Sequence, residues 1–132
     1  MITEDYCSFE VAKLLKEKGF DVPVNYEYHY KITIPQFHRK KHNFNGIEYS
    51  NCSSEWYSAP THQMAMKWLR KEHNILLFLL PAQENGKLVY LVEVWTWNEE
   101  EGIYESTYAP MPRKEPEQAV EAAIKYCLKN LI

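Results

Sequence analysis

The sequence predicts an α+β fold: a two-layer sandwich whose mainly antiparallel four-stranded sheet carries three helices on one face, in the order α-β-α-β-β-β-α. Three observations predict it. Apolar residues recur at helical spacing in three separate stretches. Residues 26–34 alternate strictly, with Tyr26, Tyr28, Tyr30, Ile32 and Ile34 on one face and Glu27, His29, Lys31 and Thr33 on the other. Asn85-Gly86 lies between two long apolar runs, as a tight hairpin turn requires. Helices gathered on one side of an antiparallel sheet are the economical way to bury these faces.

In chain order, Ser8 is placed to cap a first helix whose stripe is Val11, Leu14, Leu15 and the stem of Lys18. Gly19 occupies the left-handed position after it, and Phe20 can fold back on the last turn. The alternating strand 26–34 reads as an edge strand that Pro35 ends. Residues 36–57 are polar and show no period, which predicts a long surface loop. A second helix follows Pro60, with Thr61, Met64, Ala65, Trp68 and Leu69 on its apolar side and Ser58 or Thr61 as cap. The run 75–80 is a strand closed by Pro81, and 88–97, apolar on both faces, is its central neighbour. Residues 103–108 complete the meander. The last helix starts near Pro116 and lines up Val120, Ile124, Cys127, Leu128 and Leu131.

At 132 residues, 45% of them hydrophobic and 25% charged, the chain suits one domain spanning 1–132 with a core of its own. The net charge of −3 argues against wholesale binding to nucleic acid or membrane. Charge is unevenly spread: residues 31–73 hold seven Lys/Arg against three Glu, and 83–132 hold five against nine. No apolar run approaches the ~18 residues of a membrane span, and the acidic start carries no secretory signal. Three cysteines without a close pair suit a reducing compartment, so a cytoplasmic setting is expected.

The segments SFEVAKLLKEKGF (8–20), YSAPTHQMAMKWLRKEHNI (57–75) and EQAVEAAIKYCLKNLI (117–132) resemble a family of small uncharacterised proteins from mobile, phage-like elements of anaerobic gut bacteria. The resemblance covers packing motifs, so it implies a shared fold and a bacterial or phage setting. It implies no activity.

Tests for chemistry exclude more than they support. The four glycines, at 19, 46, 86 and 102, cannot form a P-loop or a GxGxxG, and HExxH, CxxC and GxSxG are absent. No cofactor is expected. His38, His42 and Cys52 have ligand spacing, but the intervening Arg39, Lys40 and Lys41 repel a cation, so no metal is expected. His62 and His73 share a helix face at roughly 16 Å, too far to share an ion. Cys7, just before a helix, would suit a cysteine hydrolase if His29 or His62 stood beside it; its place on the side of Val11 and Leu14 favours packing.

Two binding readings remain. Lys67, Arg70 and Lys71, with Arg39, Lys40 and Lys41, could contact phosphates. The last five elements follow the order of double-stranded-RNA-binding domains, yet Glu115, Glu117 and Glu121 stand where such domains place lysines. The favoured reading is a non-catalytic module that binds a protein partner, or itself as a homodimer. Ten Tyr and four Trp exceed what a small core needs. Tyr90, Trp95, Trp97, Tyr104 and Tyr108 fall on two neighbouring strands, where some must face away from the helices. The edge strand 26–34 offers a second way to dock.

Overall fold

A computed structural model describes residues 2–29, 36–39, 56–108 and 111–132, with backbone alone for 36–39 and Tyr108. Among these residues the order is α1 (Phe9–Glu17), β1 (Tyr26–His29), β2 (Gln36–Arg39), β3 (Trp56–Ser58), α2 (His62–His73), β4 (Ile75–Glu84), β5 (Lys87–Asn98), β6 (Ile103–Tyr108) and α3 (Pro116–Asn130). The α+β class holds, but the single four-stranded sheet is replaced by two antiparallel sheets, β2-β1-β3 and β4-β5-β6. The reason lies in the stretch read as loop. Its two ends, 36–39 and 56–58, pair on either side of β1, and each is too short to display a period. β1 is therefore central, not an edge strand. Residues 30–34 of that expected strand and 40–55 of the expected loop lie outside the described residues. The chain divides into two compact units, 1–63 and 64–132.

In the first unit α1 is built as its sequence requires. The Ser8 side chain accepts a hydrogen bond from the Val11 amide at 3.2 Å, satisfying one of the donors a helix start leaves over. At the other end Gly19 takes φ +89°, and the amides of Phe20 and Gly19 donate to the carbonyls of Leu15 and Lys16. That turn folds Phe20 into the core beside Val11, Ala12 and Leu15, all buried. Rings fill the space between α1 and the sheet. Phe9 meets Tyr28 and Tyr57 edge-on at 5.5 and 5.2 Å, and Tyr6 meets Tyr26 at 5.1 Å. Lys16 donates to the Trp56 carbonyl and lays its ammonium over the Tyr57 ring at 4.7 Å.

The second unit is a meander with a helix on it. Asn85 and Gly86, at φ 52° and 75°, make the two-residue turn between β4 and β5 that the Asn-Gly pair predicts. β5 is central, as its two apolar faces predict. Cross-strand register sorts the side chains. Ile75, Leu77, Leu79 and Pro81 share a face with Thr96, Val94, Val92 and Tyr90; Leu76, Phe78, Leu80 and Ala82 share the other with Trp95, Glu93, Leu91 and Val89. On the first face Ile75, Val92 and Val94 are buried, and α3 packs against β5 and β4 with Ala119, Val120, Ala123, Ile124, Cys127 and Leu128 buried. In α2, Ala65, Trp68 and Leu69 are buried, as its expected stripe requires.

Candidate functional site

The ring-bearing strands of the second unit divide into two groups. Trp95, Trp97 and Tyr104 lie on the sheet face opposite the one that buries Val92 and Val94, because Trp97 pairs with Tyr104 and Trp95 sits two residues away. Tyr90 lies on the other face, in register with Pro81, and its backbone pairs with Arg113. Tyr108 is in register with Val94, which puts its position on the Tyr90 side. Three of the five residues singled out from the sequence are thus brought together. Phe78, which the sequence places only within the apolar run 75–80, joins them.

The rings on this face hold each other in place. Trp97 meets Tyr104 at 5.0 Å and 66°, and Phe78 meets Trp95 at 6.1 Å and 86°, both edge-on. Trp95 donates its indole N–H to a Glu93 carboxylate oxygen at 2.9 Å, which fixes the ring plane on the sheet. Phe78 is 46% exposed, Trp97 41% and Leu80 36%, with Leu76, Leu91, Trp95 and Tyr104 half-buried around them. Single exposed apolar residues are ordinary; a contiguous set spanning three strands is the pattern of a docking surface. Beyond Trp97, a hollow of about 270 Å³ is bordered by His73, Asn74, Ile75, Thr96, Glu99 and Leu131. Its rim mixes amide, imidazole and carboxylate with apolar walls.

The first unit holds the cysteine candidate. A short antiparallel bridge joins Tyr6 to Thr61, with the Cys7 amide donating to the Pro60 carbonyl at 2.9 Å and the His62 amide to the Asp5 carbonyl at 2.8 Å. This bridge sets Cys7 beside His62, with Sγ within 4.8 Å of an imidazole nitrogen. His29, the other expected partner, instead stacks on Trp56 at 4.1 Å. The Tyr28 hydroxyl donates to the Cys7 carbonyl at 2.8 Å, closing over the same spot. Cys7 is fully buried and His62 nearly so. A nucleophilic thiol must meet its substrate, and this one is sealed beneath packing on every described side. Cys127 is likewise buried, and burial pushes its thiol up to about 12. Cys52 lies outside the described residues, as does His42, and the side chain of His38 is not described.

Of the basic candidates, Lys67, Arg70 and Lys71 are all exposed on α2, with Glu72 exposed among them. Arg39 is described by its backbone only, and Lys40 and Lys41 lie outside the described residues. No helix among the described residues is long and apolar enough to cross a membrane. The described geometry therefore defines a protein with an open aromatic sheet face and an occluded thiol. Comparison of the chain with known protein families, curated proteins and solved structures returns no match.

Proposed function

We propose that the protein is a non-catalytic interaction module that docks a protein partner on the β4-β5-β6 face, with Phe78, Trp95, Trp97 and Tyr104 as anchors. The observation that carries this reading is the exposure of Phe78 and Trp97 within one apolar surface of three strands. Aromatic residues are enriched among the anchors of protein interfaces because each buries a large area at a small cost in side-chain freedom. The edge-on ring pairs and the Trp95–Glu93 hydrogen bond support the same reading, since they hold the rings in place before a partner arrives. The partner's matching surface is largely apolar and accommodates the Glu93 carboxylate, which lies among the rings on the central strand, opposite Phe78. The resemblance to proteins of phage-like elements adds a bacterial or phage setting to this proposal.

The test is a paired co-purification from the native host. The Phe78→Ser, Trp97→Ala double variant should keep the circular dichroism of the unaltered chain and lose a partner which that chain retains. Loss of one binding anchor commonly costs about 2 kcal/mol or more, roughly thirtyfold in affinity. Recovery of the same proteins with both chains would reject the face as the binding surface.

A further inference from the structure

The sheet of the second unit has two edges, β4 and β6, and they are built differently. β6 carries the usual protections of an exposed edge: Glu105 within the strand, the acidic run Glu99, Glu100 and Glu101 at its start, and a bulge at Val94/Trp95. The Thr107 hydroxyl donates to the Val94 carbonyl at this bulge. β4 has almost none of this. Residues 75–83 carry no ionisable group, and Phe78, Leu79 and Leu80 are all substantially exposed. Among the described residues no strand pairs with its outer side.

The direction of the β4 backbone groups follows from its partner. Tyr90 exchanges both backbone hydrogen bonds with Arg113, at 2.8 and 2.7 Å, so its N–H and C=O point away from β4. The Pro81–Tyr90 pair is therefore of the non-hydrogen-bonded kind, and the backbone groups of Pro81 point outward. Proline can occupy this position because it has no N–H to give β5. With a period of two, Leu79, Leu77 and Ile75 also aim their N–H and C=O groups outward. These three positions form a complete ladder segment that stops where Pro81 removes the next donor.

We infer that β4 pairs antiparallel with β4 of a second copy about a two-fold axis at Leu77, joining the two sheets into one of six strands. In this register Leu77 faces Leu77, and Ile75 faces Leu79. Leu76 and Phe78 then meet across the axis and extend the aromatic face without a break. The segment complements itself, since reversal about Leu77 exchanges Ile75 with Leu79 and leaves an apolar, uncharged pairing. Charge selects this edge over the other: two β6 strands would bring Glu105 and the acidic turns of both copies together, which is unfavourable. Antiparallel pairing also points Glu84, with Lys87 across the hairpin from it, toward the part of the second chain that precedes β4. Arg70 and Lys71 are exposed there. The inference concerns the strand edge rather than the sheet face proposed above, with Phe78 belonging to both, and it can fail while that reading stands.

The test combines particle mass and amide exchange on the full chain. Light scattering should give two chains per particle at high concentration. Leu79→Lys, which places a charge on the pairing edge, should give one, while Glu105→Lys on β6 should leave the pair intact. Hydrogen exchange on the unaltered chain provides a check that needs no variant. The amides of Leu77 and Leu79 should become protected as concentration rises, while those of Leu76, Phe78 and Leu80 are protected throughout by β5. A chain monomeric at every concentration overturns the inference, and so does a dimer whose Leu77 and Leu79 amides exchange freely. In either case co-purification that still depends on Phe78 and Trp97 would keep the partner reading standing.

Discussion

Cys127 shows how burial converts a reactive group into a packing atom. Its thiol sits among Ala123, Ile124 and Leu128 in the buried stripe of α3, and desolvation moves it from 9.0 to about 12. The consequence for stability has a definite sign. Below pH 9 the folded and unfolded chains both keep this proton, so the group leaves stability unchanged with pH. Between 9 and about 12 the unfolded chain releases it and the folded chain does not, so stability falls as pH rises. The slope reaches at most about 1.4 kcal/mol per pH unit. Urea midpoints across this range should fall more steeply for the native chain than for Cys127→Ala. Equal slopes would show that the thiol is not held neutral. Cys7, equally buried but set beside His62, belongs to the same class of residue: its position before a helix suggested chemistry, and its enclosure removes access.

At the scale of elements, α1 was fully legible because its signals are local. Ser8, the stripe of Val11 and Leu15, Gly19 and Phe20 each act within one turn of their neighbours. Ser8→Ala should lower stability by about 1 kcal/mol, read from thermal unfolding, by leaving the Val11 amide without its acceptor. An unchanged melting point would mean that water replaces the cap at no cost. The meander was legible for a similar reason, since Asn85-Gly86 fixes the turn and thereby the register of both long strands. The first sheet was not. Strand β1 alternates, but its two partners are only four and three residues long, and one of them, β3, is distant in sequence. Position in a sheet is a non-local property, and alternation alone cannot tell a central strand from an edge. The run 75–80 reads as a strand that Pro81 closes, yet β4 continues through Pro81 to Glu84, and a proline inside a strand marks an edge. The aromatic surplus was misattributed for a related reason: Tyr6, Phe9, Tyr26, Tyr28 and Tyr57 are used within the first unit. Only part of the surplus reaches the open face.

For the whole molecule, the net charge of −3, which argues against wholesale nucleic-acid binding, is spread over two compact units. If two chains join along β4, folding becomes linked to concentration, because association favours the folded state by mass action. The melting temperature should then rise as the protein is concentrated and stay constant for Leu79→Lys. A melting temperature independent of concentration in both chains would argue against association. The acidic rim of β6 has a further bearing on such an assembly. Joining two sheets through one side each leaves the outermost strand on either flank bristling with carboxylates and kinked by its bulge. Nothing there invites a third sheet, so growth halts at a closed pair, and the chain can keep a greasy ribbon in its sequence without seeding fibrils.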